Sequence, residues 1–223
     1  MNIKLYFILY IIYSFIGWVI EVIATSKDNK GFVNRGFLIG PYCPIYGTCA
    51  LLMILILPNQ ENIFLLFLMS LLICSISEYL TSYVMEKLFK ARWWDYSSRR
   101  FNLNGRICLK MSLGFGLLGV ILVRYVNPFI TSYLIKIPNN IVDIIFYILI
   151  IIFAIDNIIS FKVVLKIKET TKFIKMDNTR EITEKVKAIL GNSFLVKRLL
   201  KAFPDFRVII KDLERKIRGK KWI

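Results

Sequence analysis

The chain has 223 residues, 57% of them apolar, and a mean hydropathy of +0.59. A soluble core of this size cannot hide so much apolar surface, so the composition excludes an ordinary globular domain and fits lipid as the solvent. Lys and Arg number 31 against 15 Asp and Glu, a formal charge of +16. The basic residues flank or follow apolar runs, which points to an anionic membrane face attracting each of them by roughly 1 kcal/mol. Nucleic acid, the other partner class for such a charge, is not expected. There is no His, and Cys43, Cys49, Cys74 and Cys108 form no CxxC pair. That removes histidine general-base chemistry and the usual zinc and haem ligand sets. No metal site, cofactor or disulfide framework is expected.

In chain order, five stretches have the roughly 17 to 25 residues that cross a hydrocarbon core of about 30 Å. They run from Ile3 to Ala24, Phe37 to Leu57, Ile63 to Val84, Ile107 to Val126 and Ile141 to Phe161. The first is too long, and too acidic at its end, for a cleaved signal peptide. The second carries Pro41 and Pro44 at its start, where they oppose a regular helix, so a kinked or partly re-entrant segment is the alternative there. The connection after the first run holds Lys27, Lys30 and Arg35, and the one after the third holds Lys87, Lys90, Arg92, Arg99, Arg100 and Arg106. The connection after the second holds none, and from Lys162 onward 18 Lys and Arg face seven acidic residues. By the positive-inside rule this alternation places the N-terminus outside and the basic loops and tail in the cytoplasm.

The expected class is therefore all-α, a polytopic bundle of about five transmembrane helices over residues 1–161, followed by a basic cytoplasmic tail over 162–223. Within the tail, Asn178 and Glu181 resemble a helix N-cap and its N3 acid. Ile182, Val186, Ile189 and Leu190, and then Phe206, Ile209, Ile210, Leu213 and Ile217, recur at helical spacing. These amphipathic segments read as helices lying on the inner leaflet or as a dock for a soluble partner.

Glu21 with Thr25 and Ser26, and Glu78 with Thr81 and Ser82, mark the same ends of the first and third runs. Each is followed by a basic loop with an Asn, Gly and Arg cluster: Asn34, Arg35 and Gly36, then Asn104, Gly105 and Arg106. This raises a parallel repeat, 3–57 and 63–126, related by an axis along the membrane normal, with 141–161 as an added helix. Unequal spacings leave chance similarity as the other reading.

Glu21, Glu78 and Asp156 lie within apolar runs, and a carboxylate facing lipid costs several kcal/mol, so all three are expected to turn inward. A polar cluster is expected at the cytoplasmic level, with Arg35 and Arg106 as its bases and Lys110 one helical turn after Arg106. Its alternatives are ion pairing that fixes helix order and a site for an ion or small polar solute. Trp93, Trp94, Asp95, Tyr96 and Asn102 in the third connection read as an interfacial anchor, or as a lipid-headgroup or solute contact. Asn34 and Tyr46 belong to a Gly- and Pro-punctuated stretch, 34–47, whose irregular backbone leaves carbonyls for a solute. Gly114, Gly116 and Gly119 spell GxGxxG, but inside an apolar span they signal close helix packing. No Walker A motif or catalytic Ser–His or Cys–His set occurs, and no catalytic residue is assigned.

The segments YSFIGWVIEVIATSKDNKGFVNRGFLIGPYCPIYG (13–47), EYLTS (78–82) and RWWDYSSRRFNLNGRIC (92–108), with Ala202, Phe203 and Pro204 further on, resemble the bacterial membrane proteins described as putative ABC-transporter type IV, or CmpB-like. The resemblance runs over about 5–205. It implies a multi-span transporter component in the cell membrane, non-enzymatic itself and served by a separate ATPase or other membrane subunit. It brings no ligand assignments. The competing readings are a non-transporting scaffold or signalling protein and, third, a lipid-modifying membrane enzyme.

Overall fold

A computed structural model describes residues 2–29, 31–57, 61–173 and 193–208. The amphipathic tail segments expected around 178–190 and 206–217 lie outside these residues, apart from 206–208.

The described chain is mostly helical. Its elements are α1 (Ile3–Asn29), α2 (Pro44–Ile56), α3 (Ile63–Phe89), β1 (Ala91–Arg92), β2 (Asn102–Leu103), β3 (Ile107–Cys108), α4 (Leu109–Ile121), α5 (Asn127–Leu134), α6 (Asn139–Phe173), α7 (Phe194–Ala202) and β4 (Arg207–Val208). Four stretches are long and apolar enough to cross a membrane: Ile3–Ser26, Ile63–Phe89, Leu109–Leu134 and Asn139–Glu169. The third of these passes through a π-helical turn at Leu122–Val126. Pro128 follows that turn and has no N–H to return to the preceding carbonyls, so a widened turn joins α4 to α5. The expected limit of the bundle at residue 161 falls inside α6, which continues to Phe173.

The second expected span is different. Only α2 is helical, 13 residues long, or about 20 Å at 1.5 Å per residue. The apolar stretch 37–43 before it is non-helical. Pro44 occupies the first turn of α2, where its missing N–H costs nothing. The Cys43 amide donates to the Ser14 carbonyl at 2.9 Å, so α2 begins level with the middle of α1. Residues 34–43 thus descend beside Ser14–Glu21 of α1, within its candidate span.

Helices pack closely where glycine removes the side chain. A Cβ on Gly119 of α4 would lie 2.4 Å from the Ser70 Cβ of α3, and one on Gly47 of α2 would lie 2.3 Å from the Ser14 Oγ of α1. Gly116 is similarly filled by Phe67, whereas Gly114 has nothing within 4 Å. Ser75 and Ser112 add an α3–α4 hydrogen bond of 2.8 Å inside the apolar layer. Outward faces remain apolar: Ile144, Ile148, Ile151, Ile155 and Ile158 of α6 are each more than half exposed, as a lipid-facing surface requires.

At the end where α1, α3 and α6 finish, a separate core forms. Phe89, Ala91, Trp93, Val164 and Ile167 pack with Val196, Leu199, Ala202, Phe203 and Phe206. Trp93 is only 2% exposed, with the rings of Phe37, Phe89, Phe203 and Phe206 around it. An interfacial anchor is therefore the wrong description of Trp93; α7 and the turn after it cover the indole. The antiparallel pair β1–β4 matches Ala91 with Val208 and Arg92 with Arg207, tying the tail to the end of α3.

Gly119→Val is expected to push α4 off α3 and destabilise the bundle by about 1–3 kcal/mol, as overpacking does. Gly114→Ala should be neutral or stabilise by about 0.5–1 kcal/mol through helix propensity. Unfolding in mixed micelles reads both, and equal effects would contradict the assigned α3–α4 contact.

Candidate functional site

The irregular segment 31–43 has no helix to satisfy its backbone, so side chains from two other elements and from the segment itself do so. From α6, Asp156 accepts the amides of Ile39 at 2.9 Å and Gly40 at 2.7 Å, the Tyr42 hydroxyl at 2.6 Å and the Ser160 hydroxyl at 2.9 Å. From α7, Arg198 donates to the carbonyls of Leu38 at 2.7 Å, Phe37 at 3.0 Å and Gly36 at 3.4 Å. Within the segment, Asn34 donates to the Ile39 carbonyl at 2.9 Å and accepts the Trp18 indole N–H of α1 at 2.8 Å. Gly36, at φ +129°, makes the turn that lets these groups meet. Burial pulls the Arg198 guanidinium below its ordinary value, and the Asp156 charge opposes this. Where Phe37, Ile39, Ser160, Arg198 and Leu199 meet between the segment and α7, no water-sized space remains, so this junction is packed and is not a ligand pocket.

A second group of polar residues lies further along the same face of α1, at Glu21. Glu21 pairs with Arg35 at 3.2 Å and accepts the Tyr46 hydroxyl at 2.6 Å. Arg35 also donates to the Ala202 carbonyl, so one side chain joins α1, the irregular segment and the tail. Glu78 of α3 is 6% exposed and accepts the Tyr96 hydroxyl at 3.2 Å on Oε1, while Oε2 has no hydrogen-bond partner. Burial raises the Tyr96 phenol well above its ordinary value, and the charges of Glu78 and Glu21 push it the same way.

Arg106 does not meet Glu78. It lies before α4 and forks onto Glu86 of α3, at 2.9 and 3.0 Å, with the rings of Tyr79 and Tyr83 beside it. Two parallel N–H to carboxylate bonds make this the stronger type of ion pair. Arg92 shares Glu86 at 3.1 Å and reaches Asp95 at 3.4 Å. Trp94 donates its indole N–H to the Arg106 carbonyl at 3.1 Å. Asn102 closes the 99–105 turn, donating to the Arg99 carbonyl at 2.7 Å and accepting the Gly105 amide at 3.0 Å. Lys110 is exposed on α4, apart from these contacts.

The sequence singled out Glu21, Arg35, Tyr46, Glu78, Tyr96 and Asp156, and the structure places each on an inner polar contact. It missed Glu86, Arg198, Tyr42 and Ser160. Glu86, eight residues after Glu78 on one helix, was readable as a further acid near the end of a span. Arg198 was hidden among the tail's many cations.

A family model described as "Putative ABC-transporter type IV" matches residues 8–161, and the chain belongs to that family. The match runs from α1 past Asp156 in α6; α7 and the Ala202–Pro204 turn lie beyond it. No curated protein and no solved structure matches the chain.

Asp156→Ala should destabilise the protein by about 3 kcal/mol, because two backbone amides and two hydroxyls lose their acceptor. Tyr42→Phe, which removes a single donor, should cost about 1 kcal/mol. Denaturant titration in micelles that found the two equal would contradict the role given to Asp156.

Proposed function

We propose that this chain is the membrane-embedded subunit of an ABC-related transport assembly in the cell membrane, handling a small polar solute, with its basic end in the cytoplasm. Family membership supports the transport setting. The orientation follows from the cationic connections and tail. The observation that carries the reading is the continuous polar contact from α7 through Arg198 and Arg35 to the irregular segment and on to Glu21 at membrane depth. Such a connection lets an event on the cytoplasmic side bias the interior without crossing lipid, which is what coupling to a partner needs.

The chain has no nucleotide-binding motif of the P-loop kind, so energy from ATP must come through a separate ATPase subunit. Arg99 and Arg100, exposed on the 90–108 connection, are the surface offered to it. A lipid-modifying enzyme would need Glu78, Asp95 and Arg106 to converge; instead Asp95 binds Arg92 and Ser97, and Arg106 binds Glu86. The scaffold reading draws on a different observation, the saturation of Glu86 by two guanidiniums, a lock between α3 and the following loop.

Purification of the full chain from its native membranes in mild detergent is expected to bring a nucleotide-hydrolysing subunit with it, and the pair Arg99→Glu and Arg100→Glu to release that subunit. Recovery without any ATPase from membranes shown to contain one bound to other permeases would count against the proposal. If Glu21→Gln alters stability and leaves solute flux unchanged, the scaffold reading prevails.

A further inference from the structure

Glu21 in α1 and Glu78 in α3 have different partners. Glu21 has a guanidinium at 3.2 Å and a phenol at 2.6 Å, and its side chain is 31% exposed. Glu78 has a single phenol at 3.2 Å, an unpartnered Oε2 and 6% exposure. The Arg106 guanidinium reaches Ser82, one turn after Glu78, at 3.5 Å but is committed to Glu86. Among the described residues Glu78 has no ion-pair partner, and the phenols and thiols its charge reaches are Tyr46 and Cys49 on α2, Cys74 on α3 itself and Tyr96. At neutral pH these bring no positive charge.

A carboxylate taken out of water with no cation beside it is costly to ionise, so it binds a proton instead. We propose that Glu78 is a proton-binding site of the bundle, taking up and releasing one proton at Oε2. On uptake an O–H bond forms at Oε2 with a proton from water at the basic end. On release the proton returns to that water. Tyr96 positions the carboxyl by holding Oε1. Nothing in this requires a particular solute, or any transport: proton exchange at Glu78 stands or falls apart from the ATPase partnership.

The test is infrared difference spectroscopy of the full chain in lipid nanodiscs, recorded as pH is varied. The wild type is expected to show the C=O stretch of a protonated carboxyl that grows on acidification and disappears on alkalinisation. Glu78→Gln, which has the shape of the protonated acid and so should keep the fold, should lose that band. Glu21→Gln should keep a titrating band. Tyr96→Phe should keep it at higher frequency, because the hydrogen bond to Oε1 is gone. A band absent from the wild type, fixed at all pH, or undiminished in Glu78→Gln overturns the assignment. If Glu78→Gln does not fold, the Tyr96→Phe displacement decides alone: no displacement means the band belongs to another carboxyl.

Discussion

In a hydrocarbon layer every peptide N–H and C=O must find a partner inside the protein, and segment 31–43 is where this chain does so without a helix. Its amides at Ile39 and Gly40 are taken by an anionic side chain, Asp156, and its carbonyls at 36–38 by a cationic one, Arg198. Charged partners suit the task, because hydrogen bonds to ionised groups are worth roughly twice those between neutral ones. Each charge in turn is made tolerable by the several bonds it receives or gives. Neither residue is best described as one half of an ion pair; each is a cap for irregular backbone.

The arrangement has a consequence for the tail. Arg198 belongs to α7, and Ala202, at the end of α7, accepts from Arg35, whose other contact is Glu21. Removing α7 from the bundle would leave carbonyls of segment 31–43 unpaired and Arg35 half-released. The described part of the tail, 193–208, is therefore a structural component of the bundle, and the aromatic core around Trp93 holds it there. A partner that pulled on α7 would be felt at Glu21 without any change in the lipid-facing surface.

The apolar runs read at 3–24, 63–84 and 141–161 fall within the spans Ile3–Ser26, Ile63–Phe89 and Asn139–Glu169, and were legible because length and hydropathy alone decide them. The second run was not, since hydropathy cannot distinguish an apolar loop such as Phe37, Leu38 and Ile39 from a helix; Pro41 and Pro44 were the only warning. Inward-facing acids were legible as acids, from the cost of placing charge in lipid. Their partners were not, because pairing depends on which loop returns to which helix. Glu21 and Arg35 meet through a short local connection, whereas Arg106 settles on Glu86 two turns beyond Glu78. Trp93 misled for a related reason: an indole next to a span reads as an anchor unless the distant segment that covers it is known. The Asn–Gly–Arg similarity between the two halves does not extend to the pairing of those arginines.

Hydrogen–deuterium exchange of the 36–43 amides in lipid nanodiscs tests the central claim most directly. Wild-type Ile39 and Gly40 should exchange slowly, like the interior of α3, and Asp156→Ala should make them fast while α3 stays protected. Rapid exchange at 39 and 40 in the wild type, comparable to the exposed turn at 97–100, would mean that the segment lies in water and that Asp156 does not hold it.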